Sequence, residues 1–217
     1  MIDVKSWDVY LVTDSFLSHG KSDIEIIEAA IRGGISVVQL REKHLASKDF
    51  FHKGLEIMKL LSEHRVPLII NDRIDVALAL DAEGVHLGQS DMPLKIARKI
   101  LGPDKIIGWS VNELNQINDE TASLVDYFAI SPVFFTSTKK DISTPWGLEG
   151  VAWARSNTSK TLVGIGGLGL DNVFDAVIAG LDCVAVVSAI VCDEDPVVAT
   201  ESLTRKVRQA KATRVKS

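Results

Sequence analysis

The sequence predicts an α/β fold, a single (β/α)8 TIM barrel, on three observations. Short strand-like runs alternate with helical repeats about eight times, at a spacing of roughly 25 residues, which is the arithmetic of a compact barrel. Most of those runs are apolar throughout, as in strands buried on both faces of a parallel sheet. Several then stop abruptly against polar side chains, most clearly in Val37-Val38-Gln39-Leu40-Arg41-Glu42-Lys43, as strands do when they leave a core at a common mouth. A doubly wound open sheet is the alternative. Its Gly-x-Gly-x-x-Gly turn should follow the first strand, whereas here Gly166-Gly167-Leu168-Gly169 follows the seventh.

Taken in order, Val9 to Thr13 is a strand ending at Asp14. Ser22-Asp23 caps a helix with Ile24, Ile27, Ala30 and Ile31 at helical spacing, and Gly33-Gly34 stops it. The second strand runs from Ser36 to Arg41. Ser47 opens a helix that carries Phe51, Leu55, Met58 and Leu61 on one face and closes near Arg65. Leu68 to Ile70 is the third strand, ending at Asn71-Asp72, and a short crossover from Asp75 to Leu80 leads to the fourth, Gly84 to Gly88. Pro93 opens a helix to Leu101. Lys105 to Trp109 is the fifth strand, followed by a polar helix through Thr121, and Tyr127 to Ile130 is the sixth. The longest irregular stretch, Ser131 to Gly147, comes next, and long loops inside compact domains usually carry function or are disordered. A helix from Leu148 to Arg155 leads to the seventh strand, Thr161 to Ile165. A further helix from Asp171-Asn172 to Gly180 precedes the eighth, Val184 to Val187, which Ser188 breaks. Pro196 starts a final helix through about Ala210. The chain is thus expected to be one domain over 1–217, with its core at about 9–210 and a basic tail from Lys211 that frays into disorder.

Composition narrows the function classes. At 217 residues, 46% hydrophobic and 24% charged, the chain has an ordinary globular make-up with enough length for one large core. A net charge of −5 argues against a protein that wraps nucleic acid. No apolar run is long enough to span a bilayer, and Met1 to Asp8 carries Asp3, Lys5 and Asp8 rather than a signal-peptide core. Cys183 and Cys192 lack metal-ligand spacing and are too few for a disulfide framework. These readings imply a cytoplasmic protein with small-molecule partners, no nucleic acid and no membrane, and they carry no signal for oligomeric state.

In a barrel the C-terminal ends of the strands converge, so residues remote in sequence share one mouth. Here those ends carry Asp14, then Gln39, Arg41 and Lys43, then Asn71 and Asp72, then Asp91, then Ser110. The later strands add Thr136, Thr138 and Lys139, then Gly166-Gly167, then Ser188. Gly166-Gly167 and Val187-Ser188 lie where barrels often bind a phosphate through backbone N–H groups, and the glycines equally suit a tight turn. Arg41, Lys43 and Lys139 are clustered donors, and Asp72 with Asp91 is a carboxylate pair. Cations and carboxylates at one mouth suggest a diphosphate with Mg²⁺, although Asp91 is also placed to cap the helix at Pro93. His86 falls mid-strand, where a satisfied core histidine is the commoner case. No histidine is paired with a nucleophile and no lysine lies inside a strand, which disfavours acyl transfer and imine chemistry.

Six pieces in this order carry a family resemblance: Gln39-Leu40-Arg41-Glu42-Lys43, Asn71-Asp72, His86-Leu87-Gly88-Gln89-Ser90-Asp91, Thr136-Ser137-Thr138-Lys139-Lys140, Gly164-Ile165-Gly166-Gly167 and Val187-Ser188-Ala189-Ile190. From about Val9 to Lys206 the chain resembles the thiamine phosphate synthases. The resemblance implies a transferase that joins 4-amino-2-methyl-5-(diphosphooxymethyl)pyrimidine to 4-methyl-5-(2-phosphoethyl)thiazole, giving thiamine phosphate and pyrophosphate by dissociative substitution. It implies that Gln39, Leu40, Arg41, Glu42, Lys43, Asn71, Ser110 and Lys139 hold the pyrimidine diphosphate. Asp72 and Asp91 would hold Mg²⁺, while Thr136, Ser137, Thr138, Gly167, Val187 and Ser188 would hold the thiazole phosphate. Arg41, Lys43 and Lys139 would do the catalytic work of stabilising the departing charge. The family usually has Gly-Pro where this chain has Ser131-Pro132, Pro in place of Phe135, and often His in place of Asn112.

Two other readings fit the same fold. A thiazole tautomerase typically lacks the acidic pair and the loop lysine and uses a histidine where this chain has Asn112. A non-catalytic barrel that binds thiamine precursors would have no need of two carboxylates for a metal.

Overall fold

A computed structural model of the chain describes residues 2–18, 20–136 and 144–215. Eight parallel strands close into a barrel in sequence order. They are β1 (Val9–Val12), β2 (Val37–Leu40), β3 (Leu68–Asn71), β4 (Gly84–Leu87), β5 (Ile106–Val111), β6 (Tyr127–Ile130), β7 (Thr161–Ile165) and β8 (Cys183–Val186). Closure is made by β8 on β1, with Tyr10 opposite Ala185 and Leu11 opposite Val186. The described helices are α1 (Asp23–Arg32), α2 (Ser47–His64), α3 (Ile74–Leu80), α4 (Leu94–Leu101), α5 (Asp119–Leu124), α6 (Gly147–Asn157), α7 (Val173–Ala179), α8 (Ser188–Val191) and α9 (Pro196–Arg214). None of them is long and apolar enough to cross a membrane.

Side chains alternate across each strand, so a strand apolar on both faces feeds two cores. Val9, Leu11, Val38, Leu40, Leu68 and Ile70 point outward and pack beneath the helices. Tyr10, Val12, Val37, Ile69, Tyr127 and Cys183 point inward and fill the barrel, together with Trp7. The interior is therefore packed through its lower part, and it opens at the mouth where the strands end.

Local signals set several elements. Ser22 caps α1 with a full capping box, its hydroxyl accepting from Glu25 N while the Glu25 carboxylate accepts from Ser22 N. The polar helix expected through Thr121 is instead a 3-10 turn at Leu114–Gln116 followed by α5, because Asn118 caps a fresh start there. Ser188 does more than break the eighth strand, since it begins the single turn α8. The expectation of a tail fraying from Lys211 is corrected, because α9 continues to Arg214. Lys211 Nζ donates to Trp7 O at 2.7 Å and Asp8 Oδ1 at 2.8 Å, and Arg214 Nη2 donates to Asp182 Oδ1 at 2.8 Å. Those acids lie at the starts of β1 and β8, so the last turn is anchored to the barrel floor.

One close approach fixes the seam between β4 and β5. A Cβ on Gly84 would lie 2.2 Å from Ile106 O and 2.6 Å from Ile106 Cβ, whereas one on Gly54 would meet only the movable end of Leu80 at 2.4 Å. Gly84→Ala is therefore expected to cost about 3 kcal/mol by overpacking against a backbone that cannot yield, seen as a fall in Tm of roughly 6–12 °C. Gly54→Ala should cost less than half as much in the same thermal melts.

Candidate active site

The strand ends surround a cavity of about 650 Å³. Its first wall comes from β2 to β4. Arg41 follows β2, where its backbone N donates to Thr13 Oγ1 at 3.0 Å and its guanidinium meets Asp14 Oδ2 at 3.4 Å. Lys43 Nζ reaches Asp72 Oδ2 at 2.5 Å. Asp72 is held in the left-handed region at φ 62 and donates its backbone N to His86 O at 2.9 Å, which turns its carboxylate back over the end of β3. Aspartate is among the few side chains that tolerate this conformation. Beside it, Asn71 is buried and its Nδ2 has no hydrogen-bond partner, so the cavity wall presents an unused donor.

Asp91 completes this wall by accepting from Gly88 N at 2.6 Å. Burial pushes its carboxyl above the ordinary range; the Gly88 N–H opposes this, and contact with Asp72 adds to the rise. Both carboxyls line this wall, where Asp72 pairs with Lys43. The capping role is not taken up, since Pro93 stands at the N-cap of α4 without any side-chain cap bond.

Across the cavity, Gly166 and Gly167 adopt φ 97 and φ 65. A Cβ on Gly166 would lie 2.7 Å from Pro132 Cβ, and one on Gly167 would lie 2.5 Å from Phe135 O. The chain after β6 crosses here, with Phe134 N donating to Gly166 O at 3.0 Å. The glycines allow this close crossing, and they line the cavity beside Val187 and Ser188. Thr136 lies on the same wall. Ser137, Thr138 and Lys139 lie outside the described residues.

Gln39, Ser110 and the side chains named on both walls line one space, but Leu40 and Glu42 do not. Leu40 is fully buried on the outer face of β2. Glu42 turns away to Lys53 of α2, which also pairs with Asp23 of α1. Burial alone would lower the Lys53 ammonium, and hydrogen bonds to Asp23 and Glu42 more than offset it, so its pKa is raised. Neither Leu40 nor Glu42 presents its side chain to a ligand in the cavity.

Three polar groups inside the barrel were invisible as a site in the sequence. Tyr10, His86 and Tyr127 all line the cavity floor. His86 is satisfied as expected, with Nδ1 3.0 Å from Tyr127 Oη and Nε2 2.9 Å from Ser110 Oγ, yet it also faces the cavity. The usable signal is register: Asn71 stands opposite His86, and His86 opposite Gly108, so the histidine is level with the last turn of the mouth.

Comparison with known proteins gives the family. A family model described as thiamine monophosphate synthase matches residues 9–190. The chain belongs to the thiamine monophosphate synthase family. Among its curated relatives, the thiamine-phosphate synthase of Albidiferax ferrireducens is 49% identical over 88% of this chain and 87% of its own. That of Chloroflexus aurantiacus is 44% identical over 92% of each. A solved structure, thiamine phosphate pyrophosphorylase from Pyrococcus furiosus, superposes with a TM-score of 0.86 at 33% identity, covering 94% of this chain and 96% of that one. The strand ends described above fall within the matched span.

Proposed function

We propose that the protein is a thiamine phosphate synthase, a transferase joining 4-amino-2-methyl-5-(diphosphooxymethyl)pyrimidine and 4-methyl-5-(2-phosphoethyl)thiazole to give thiamine phosphate and pyrophosphate. The observation that carries the reading is one cavity with two unlike walls: cations and carboxylates on one side, a glycine-rich phosphate cradle on the other. Two phosphorylated small molecules can meet there.

Chemistry follows from the charges. Diphosphate departs from a carbon whose positive charge spreads into the amino-substituted ring, and the thiazole nitrogen then attacks that carbon. The protein supplies no nucleophile. Arg41 and Lys43 stabilise the departing diphosphate, and Lys139 joins them on the strength of the family motif. Asn71, with its unused Nδ2, and Gln39 and Ser110 hold the pyrimidine. Thr136, Gly167, Val187 and Ser188, with Ser137 and Thr138 by motif, hold the thiazole phosphate in line.

The donor set fits magnesium. Asp72 and Asp91 are in contact, and a dication relieves such a like-charge pair. Among the described residues no three His, Cys, Asp or Glu side chains gather to cage a metal. That suits an ion that takes few carboxylates and completes its shell with water and phosphate oxygens. When bound by Asp72 and Asp91, magnesium would neutralise charge on the diphosphate. Cytoplasmic residence is in keeping with Cys183 and Cys192, which are both free thiols.

The test is pyrophosphate release from purified protein given both substrates, with Mg²⁺ and then with EDTA. Release that needs both substrates and the metal is expected. Thiazole phosphate binding without release would overturn the reading in favour of a precursor-binding barrel.

A further inference from the structure

We infer that Tyr10, Tyr127 and His86 are positioning residues that fix opposite hydrogen-bond polarity on Gln39 and Ser110, and so select a pyrimidine carrying an amino group beside an unprotonated ring nitrogen. The inference rests on the synthase reading for the identity of the ring. Its structural part stands on the geometry alone.

A continuous chain of hydrogen bonds crosses the barrel interior. Gln39 Nε2 donates to Tyr10 Oη at 2.9 Å, and Tyr10 Oη lies 3.0 Å from Tyr127 Oη. Tyr127 Oη lies 3.0 Å from His86 Nδ1, and His86 Nε2 lies 2.9 Å from Ser110 Oγ. Each phenol has a single proton, and each neutral imidazole has one N–H. Because Tyr10 accepts from Gln39, its own proton goes to Tyr127. Tyr127 then gives its proton to His86 Nδ1. That leaves the imidazole proton on Nε2, donated to Ser110 Oγ. With the Gln39 amide as it stands, any other order strands a phenol proton in a buried site without an acceptor. Burial pushes both phenols well above their ordinary range, so they stay protonated and the count holds.

Packing keeps these groups from drifting. Tyr127 lies so close to the bare backbone of β5 that a Cβ on Gly108 would fall 1.9 Å from its Cζ. Its ring meets Trp7 edge-on at 5.6 Å and Tyr10 at 6.1 Å, and it stacks on His86 at 5.7 Å with 20° between planes.

The two ends of the chain therefore reach the cavity with different chemistry. Gln39 gives one of its two Nε2 hydrogens to Tyr10, which holds the amide in place and leaves Oε1 as an acceptor beside the second N–H. Ser110 accepts from His86 and has its hydroxyl proton to give. An aminopyrimidine presents the matching pair: an amino donor for Gln39 and a ring-nitrogen acceptor for Ser110. The 4-oxo ring presents a carbonyl and a ring N–H, the reverse at both places. To match it as closely, either the chain reverses, including the Gln39 amide in a buried site, or the ring shifts to the second Gln39 N–H and the second Ser110 lone pair, away from the directions that Tyr10 and His86 fix.

Tyr127→Phe cuts the chain in the middle, after which each end can reverse alone. The experiment measures dissociation constants for the 4-amino pyrimidine diphosphate and its 4-oxo counterpart with Mg²⁺, and the His86 tautomer from nitrogen-15 shifts of the imidazole. The wild type is expected to prefer the amino ring by about 10²-fold or more and to hold His86 as the Nε2–H tautomer. In Tyr127→Phe the preference should fall about tenfold or more and both tautomers should appear, while affinity for the thiazole phosphate stays unchanged. Tyr10→Phe, which frees only the Gln39 end, serves if Tyr127→Phe does not fold, and it should lower the same preference. A preference unchanged in the folded variant, or a wild-type His86 protonated on Nδ1, would overturn the inference. Absence of pyrophosphate release from the wild type would sink the synthase reading instead, and the tautomer would still decide the proton order.

Discussion

Asp72→Asn is expected to lower kcat/KM for pyrophosphate release about 10²–10³-fold, the scale lost when one charge-stabilising group is removed from a reaction that depends on them. The substitution is close to isosteric, and asparagine tolerates the left-handed conformation that residue 72 adopts at φ 62, so the backbone turn at the end of β3 is kept. What changes is charge. Thermal melts supply a readout separate from turnover. Magnesium with inorganic pyrophosphate should raise the Tm of the wild type and leave that of Asp72→Asn unmoved. In EDTA, Asp91→Asn should melt about 1–2 °C higher than the wild type, because it removes a carboxyl that burial, and then contact with Asp72, holds above its ordinary range, while keeping an oxygen for Gly88 N. An equal metal-induced shift in wild type and Asp72→Asn would remove Asp72 from the metal site.

Lys53→Met is expected to destabilise the protein by about 3 kcal/mol, a fall in Tm of roughly 6–12 °C. Lys53 bridges two carboxylates whose side chains are only 4% (Asp23) and 7% (Glu42) exposed. Without the ammonium they are left as uncompensated buried charges. Glu42 stands between Arg41 and Lys43, so loss of its anchor should also loosen the segment that meets the diphosphate. KM for the pyrimidine diphosphate should rise several-fold while thiazole phosphate affinity holds. Adding Asp23→Asn and Glu42→Gln to Lys53→Met removes the stranded charges and should restore most of the lost Tm. A triple variant as unstable as the single one would show that Lys53 acts through packing of its stem rather than through charge.

The fate of Glu42 shows where sequence reasoning stops. Within Gln39 to Lys43 the motif is contiguous, and a motif carries no information about which way each side chain turns. Strand parity sends Gln39 inward and Leu40 outward, and Leu40 is accordingly buried beneath the helices. Glu42 lies beyond the strand, where parity no longer applies. Its direction depends on Lys53, eleven residues on in α2, and on Asp23 in α1, which meet only after the two helices have packed.

Much else was legible because it is local. The apolar runs located all eight strands, and Ser22 with Glu25, or Pro196 at the start of α9, set helix ends through bonds made within a few residues. The strand-end rule then grouped Arg41, Lys43, Asn71, Asp72 and Asp91 at one mouth, because barrel closure brings every strand end to the same place. The end of α9 was misjudged for the opposite reason. Lys211 and Arg214 look like a solvated basic tail, and their partners Asp8 and Asp182 lie at the other end of the chain or in another unit of the barrel.

By itself, then, the sequence determined the barrel, the order of its elements and the charged residues that ring its mouth, since period, caps and strand ends are properties of short segments. Only the tertiary structure decided that Asp72 and Asp91 touch, that Glu42 faces a lysine, and that Gln39 and Ser110 are joined through Tyr10, Tyr127 and His86. Each of those facts depends on strand register and helix packing, which bring together residues that no local pattern relates.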